Sequence, residues 1–165
     1  MDRVKERVCI TGVTGFLGSL VMKAFVRNTD YDIRGTVREL ENKERIDPLK
    51  DALGIQFEEV ELVVADLMIP ESIDQAIENC DYVIHTASPY PDKNPPKDEI
   101  YESVIKPAVE GTRAVLDACK RHKIKRLVFT SSIEAVIDYD NYDENKVYDE
   151  EDWLNSVGKS QVVIL

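Results

Sequence analysis

Three glycines within one short segment, Gly12-Val13-Thr14-Gly15-Phe16-Leu17-Gly18, constrain this chain more than any other feature. They follow the apolar run Val8-Cys9-Ile10-Thr11 and precede a helical pattern in which Leu17, Val21, Ala24 and Phe25 share one face. Between a strand and a helix, each glycine answers a separate physical need. The first permits a tight turn, the second lets backbone approach a pyrophosphate, and the third lets the helix pack on the strand. The start of the helix adds unpaired N–H groups and the positive end of the helix dipole. Gly12, Gly15, Phe16, Leu17 and Gly18 are therefore candidate dinucleotide-binding residues.

The rest of the chain repeats this strand–helix alternation. Ile33 to Val37, Val60 to Ala65, Tyr82 to Ala87 and Leu127 to Thr130 read as further strands. Residues 41–53 read as a polar helix that Pro48 interrupts, and Pro70 opens a helix with Ile73, Ile77 and Cys80 on one side. Ile105, Val109, Thr112, Leu116 and Cys119 mark another helix, which Pro107 either kinks or starts. Alternating strands and helices imply parallel pairing, because each crossover travels back over the sheet. The expected fold is α/β, a doubly wound parallel sheet of the Rossmann type with about five strands, incomplete at the C-terminus, binding ligand at the carboxyl ends of the strands. Residues 1–132 form the expected nucleotide-binding domain, and 133–165 an acidic segment with no substrate domain after it.

Charge and cysteine usage remove several classes of function. The 165 residues carry 21 Lys+Arg against 32 Asp+Glu, a net charge of −11, which opposes a broad nucleic-acid or anionic-membrane surface. Cys9, Cys80 and Cys119 are odd in number and far apart in sequence, which supports neither a disulfide framework nor a metal site. No apolar run approaches the roughly 20 residues that span a bilayer. A soluble, cytoplasmic protein is expected, with no nucleic-acid or membrane partner. Cys119 and His122 share a helix without an orienting partner and read as a core cysteine and a surface histidine. His85 reads as packed or hydrogen-bonded, and the loop of Pro89, Pro91, Pro95 and Pro96 as a stiff wall at the ligand edge.

A ribose-binding acid usually stands about 20 residues past the glycines in NAD sites. Here that place holds Arg38, with Arg45 further along the next helix. Guanidinium groups suit a 2′-phosphate, which they grip through paired N–H donors. The pattern favours NADP(H) over NAD(H), although Glu39 stands beside Arg38.

With these motifs in place, the chain resembles the extended short-chain dehydrogenase/reductases (the NAD-dependent epimerase/dehydratase superfamily), in the branch of dihydroflavonol reductase and cinnamoyl-CoA reductase. The resemblance rests on Val8-Cys9-Ile10-Thr11-Gly12 with Gly15-Phe16-Leu17-Gly18, on Gly35-Thr36-Val37-Arg38, and on Ala65-Asp66-Leu67. It extends through His85-Thr86-Ala87-Ser88-Pro89, Lys106-Pro107-Ala108-Val109-Glu110-Gly111-Thr112 and Val128-Phe129-Thr130-Ser131-Ser132. It implies that Asp66 and Leu67 sit beside the adenine and that Thr86, Ala87 and Ser88 line the coenzyme. It makes Ser132, flanked by Thr130 and Ser131, the catalytic serine that hydrogen-bonds a substrate carbonyl.

The family's general acid is a tyrosine followed four residues later by a lysine, on the helix after the fifth strand. These 165 residues contain one such spacing, Tyr142 to Lys146, in an acidic stretch without helical patterning, which reads as a chance match. The catalytic tyrosine and lysine are thus absent and the chain reads as truncated before them. The expected activity is the NADP(H)-binding part of an oxidoreductase that reduces a small-molecule carbonyl to an alcohol. The rival readings are a non-catalytic NADP(H)-binding module and a non-functional truncated product. Substrate identity and oligomeric state are left open.

Overall fold

The computed structural model describes residues 5–88, 95–96, 98–137, 141–149 and 151–153. Of the proline-rich loop, Pro89 and Pro91 lie outside the described residues. Strands β1 (Arg7–Thr11), β2 (Asp32–Val37), β3 (Val60–Val64), β4 (Tyr82–His85) and β5 (Arg126–Phe129) form one parallel sheet in the order β3-β2-β1-β4-β5. Helices α1 (Phe16–Asn28), α2 (Lys43–Leu53), α3 (Pro70–Ile77) and α4 (Lys106–Arg121) connect them. The doubly wound Rossmann-type architecture expected from the sequence is what the chain adopts.

β1 shows why its residues are apolar without alternation. Side chains alternate between faces, and a central parallel strand is covered on both. Val8 and Ile10 join Met22 of α1 and Leu49 and Leu53 of α2 in one core. Cys9, between them, faces the other core with Ile73 and Ile77 of α3 and Val115 and Ala118 of α4. Fully burying a Val or Ile side chain contributes roughly 1.5–3 kcal/mol, so these two layers supply the main driving force. The edges are less covered: Val128 of β5 stays 51% exposed, and Leu17 and Leu20 of α1 are 43% and 48% exposed. No helix among the described residues is long and apolar enough to cross a membrane.

Two readings, at Pro48 and His122, depart from the sequence analysis, while Pro107 takes the second of its two expected roles and starts a helix. Pro48 does not break α2, which runs unbroken from Lys43 to Leu53. Pro48 and Glu44, whose carbonyl would have accepted the missing N–H bond, are both exposed, so water can serve that carbonyl while Leu49 and Leu53 anchor the helix. Pro107 stands in the first turn of α4, directly after a π turn over Tyr101–Ile105. His122 is not a free surface group: its Nε2 lies 2.9 Å from Asp74 Oδ1, and the pair clasps α4 to α3.

The cysteines, distant in sequence, converge in one core as buried free thiols. A hydrogen bond with Cys80, together with burial, raises the Cys9 thiol well above its usual range. Burial pushes Cys119 up to about 11, so both stay protonated and pack as small apolar groups.

A charged residue sits where β2 expects an apolar one. Arg34 is buried, and its Nε and Nη2 donate to both Glu61 oxygens at 2.9 and 3.2 Å. Its Nη1 donates to the carbonyls of Ala76 and Glu78 at 2.9 and 2.8 Å, capping the end of α3. Burial works against this charge, but the Glu61 hydrogen bond and charge outweigh it, and the net shift is upward. Arg34→Met should cost roughly 2–3 kcal/mol in urea unfolding, since it leaves the buried Ala76 carbonyl, and the part-buried Glu78 carbonyl beside it, without this donor. Glu61→Gln should cost under about 1 kcal/mol, because water reaches that side chain. Equal losses in the two variants would contradict the capping role.

Candidate functional site

The site begins where β1 runs into α1. Gly12 adopts φ +71°, and a Cβ there would stand 2.9 Å from the Ala87 Cα. A Cβ on Gly18 would stand 2.3 Å from the Gly12 carbonyl oxygen and 2.8 Å from Thr86 Oγ1. The turn, the start of α1 and the segment after β4 therefore meet backbone to backbone. Gly12 N donates to Thr36 Oγ1 at 3.0 Å and Val13 N to Thr36 O at 3.2 Å, which ties the turn to β2. α1 opens at Gly15 with no side-chain cap and no acid in its first turn, so its positive end is uncompensated.

A cavity of about 600 Å³ opens over the carboxyl ends of the strands, a size ordinary for a cofactor site. Its floor is Gly12, Thr14 and Gly15, with Thr86, Ala87 and Ser88 on one side and Asp66 and Leu67 on another. The π turn closes the cavity through Ser103 and the start of α4 through Pro107, with α4 held near because Gly111 has no Cβ to meet Leu67, which would lie 2.8 Å away. Asp66 Oδ1 accepts from Met68 N at 2.8 Å, which sets the turn that follows β3. An adjoining space of about 410 Å³ is bounded by Thr14, Val37, Arg38, Glu39, Asn42, Arg45 and Asp66. The Asn42 side chain caps α2 by accepting from Arg45 N at 3.3 Å, which sets Arg45 near Arg38 at the helix start.

The structure thus gathers Gly12, Gly15, Arg38, Arg45, Asp66, Leu67, Thr86, Ala87 and Ser88 around one connected space. Phe16 and Leu17 do not line it: Phe16 is 86% exposed. Gly18 is buried behind it and acts by letting α1 approach. Thr130, Ser131 and Ser132 follow β5 at the same sheet edge but outside the lining, with Thr130 N donating to His85 O at 3.1 Å. Ser132 O accepts from Ala135 N at 3.0 Å and so opens a short 3-10 turn, Ile133–Ala135. Tyr142 stacks on Tyr148, while Lys146 pairs with Asp152 and lies 4.9 Å over the Tyr148 ring. That cluster is closed on itself, and its tyrosine and lysine do not serve each other.

Sequence reasoning gave no site role to Thr36, Ser103 or Pro107, and it read His85 as packed or hydrogen-bonded, as it is, without pairing it to Thr11. A threonine in a strand carries no local signal of what its hydroxyl holds. Gly35-Thr36-Val37-Arg38, one of the motifs quoted for the family resemblance, did contain Thr36 without assigning it a role.

The sequence pattern of the 3-beta hydroxysteroid dehydrogenase/isomerase family matches residues 9–161. The chain is 40% identical over 158 residues to tetraketide alpha-pyrone reductase 1 of Arabidopsis thaliana, covering 94% of this chain and 46% of that protein. It is 38% identical over 146 residues to cinnamoyl-CoA reductase 2 of the same plant, covering 88% and 41%. Yeast methylglyoxal/isovaleraldehyde reductase Gre2, solved in complex with NADPH, superposes with a TM-score of 0.76 at 25% identity, over 93% of this chain and 45% of that one. The chain spans less than half the length of each of these relatives.

Two outcomes follow from the geometry. Gly18→Ala should cost roughly 2 kcal/mol in thermal or urea unfolding, since its methyl meets the Gly12 backbone, which cannot swing aside as a flexible side chain would. His85 titrates at about 4 and not its usual 6.5, because burial disfavours the imidazolium. As pH falls below 6.5 the unfolded chain takes up the proton first, so the stability present above that pH is lost progressively toward 4. Between pH 7.5 and 5.5, unfolding should weaken by about 1.4 kcal/mol more in the parent chain than in His85→Asn, read by paired urea titrations.

Proposed function

The chain belongs to the 3-beta hydroxysteroid dehydrogenase/isomerase family of extended short-chain dehydrogenase/reductases, and on that footing we propose that it is the NADP(H)-binding part of an oxidoreductase that reduces a carbonyl compound to an alcohol. Residues 1–132 form the coenzyme-binding domain. The observation that carries the reading is the connected space running from the Gly12–Gly15 turn past Asp66 to Arg38 and Arg45. It fits an extended dinucleotide: a floor free of side chains at one end, a carboxylate midway, and two guanidinium groups at the other end. Neither Arg38 nor Arg45 has a carboxylate partner among the described residues, so both charges remain to be met by a ligand.

In this reading Gly12, Gly15 and the uncapped start of α1 hold the pyrophosphate through backbone N–H groups. Phe16 and Leu17 contribute backbone N–H groups there rather than side chains, and Gly18 contributes by letting α1 approach. Asp66 and Leu67 hold the adenine, and Arg38 and Arg45 grip the 2′-phosphate, which selects NADP(H) over NAD(H). Thr86, Ala87 and Ser88 form the wall of the nicotinamide half. When bound, the coenzyme supplies the hydride that the reaction consumes. Ser132, with Thr130 and Ser131 beside it, stands at the carboxyl edge where a hydroxyl can hydrogen-bond the carbonyl oxygen of a small substrate. The general acid that would protonate that oxygen has no counterpart among the described residues of the site, since Tyr142 and Lys146 are engaged elsewhere. The 165-residue chain is expected to bind coenzyme without turning over a carbonyl substrate by itself.

Fluorescence titration tests the reading. NADPH should bind with a micromolar dissociation constant and NADH at least about tenfold more weakly, a gap of about 1.4 kcal/mol. Arg38→Ala should remove most of that gap by weakening NADPH alone. Equal affinity for both coenzymes, or no binding by well-folded chain, would overturn the assignment.

A further inference from the structure

Thr11 and His85 stand opposite each other in the β1–β4 register, both buried. Neither lines the cavity, yet both hold the segment that does. Thr86 N and Ala87 N each donate to Thr11 Oγ1 at 3.1 Å, and His85 Nδ1 lies 2.7 Å from the same oxygen. Thr86 Oγ1 donates to the Thr11 carbonyl at 2.6 Å and ties the segment from its other side.

Counting protons fixes the direction of these bonds. A hydroxyl has two lone pairs and one proton. The two backbone donors occupy the lone pairs, so the proton of Thr11 goes to His85, and Nδ1 is its acceptor. The imidazole is thereby held neutral, with its proton on Nε2. A proton on Nδ1 would set three donors against one oxygen and leave the hydroxyl's own proton without an acceptor. One backbone bond would then open, freeing Thr86 or Ala87 at the place where Ala87 packs against Gly12.

We propose that His85 is a positioning residue for the coenzyme cradle: through the hydroxyl of Thr11, its unprotonated Nδ1 fixes the Thr86–Ala87 backbone against Gly12. The link to coenzyme rests on the function proposed above, whereas the anchoring is a property of the chain alone. Asn at position 85 can still offer an oxygen to the Thr11 hydroxyl, and Ser at position 11 keeps the hydroxyl. Leu and Val at these positions keep bulk and lose the bond.

The test has two arms on the 165-residue chain, each with Thr11→Val, Thr11→Ser, His85→Leu and His85→Asn. In the first, without coenzyme at neutral pH, ring nitrogen NMR should show His85 protonated at Nε2 and not at Nδ1. Amide exchange at Thr86 and Ala87 should quicken at least tenfold in Thr11→Val and His85→Leu, while Ile10 and Ile84 stay protected and report an intact sheet. In the second arm, NADPH affinity should fall tenfold or more in those two variants and stay within threefold of the parent in Thr11→Ser and His85→Asn. A proton on Nδ1, unchanged exchange in Thr11→Val, or equal affinities in His85→Leu and His85→Asn would overturn the proposal. A parent chain that binds no NADPH would overturn the proposed function instead, and the first arm would still decide the anchoring.

Discussion

Three stretches of backbone meet at one point with no side chain between them, and the architecture of the carboxyl edge depends on that exclusion. The Gly12 turn, the start of α1 and the Ala87 segment approach closely because a Cβ at Gly12 or Gly18 would collide with backbone or with Thr86. Strand order reverses direction at this place, between β1 and β4, where the connecting helices change from one face of the sheet to the other. A crevice forms there without any residue having to be dedicated to digging it. The neutral hydrogen bonds of Thr11, Thr36 and Thr86 then lock its walls, so the cavity is built before any ligand arrives.

The opposite edge of the sheet is held by charge. Arg7 reaches Asp32 and Glu61 at 3.9 and 3.5 Å, and its backbone N–H donates to Asp81 Oδ2 at 2.8 Å. Lys125 reaches Asp81 at 3.1 Å as β5 begins. Each exposed pair contributes little alone. Together with the buried fork of Arg34 they pin the amino ends of the strands in register. One edge is therefore closed by ion pairs and the other left open by small residues, which concentrates the ligand-accessible backbone where the helix dipoles also point.

Much of this was legible in the sequence, and what was not has a common cause. The strand–helix alternation and the glycine turn are local patterns of period and composition, whereas the apolar faces read for α1 and α4 missed the buried ones: Met22, Ala114, Val115 and Ala118 are buried, while Leu17, Val109 and Leu116 stay half exposed. Arg38 and Arg45 were singled out by their distance past the glycine turn, and Asp66 and Thr86 by what the family resemblance implies, and all four border the connected space. Thr11, Thr36 and Arg34 were not singled out, since a hydroxyl or guanidinium inside a strand is defined by partners 24 or more residues away. The π turn before Pro107 also escaped, although the proline announced a disturbance. Phe16 and Leu17 show the converse: both belong to the glycine motif, yet neither lines the cavity.

The convergence of Cys9, Cys80 and Cys119 has a use that packing alone does not reveal. All three are buried thiols outside any disulfide, in one core layer between the sheet and helices α3 and α4. Shielded by burial, such thiols are silent toward an alkylating reagent while the layer is shut. They become reactive only in molecules whose layer has parted, so the rate of alkylation measures how often it parts. The chain carries its own gauge of breathing, confined to one side of the sheet, with no probe added.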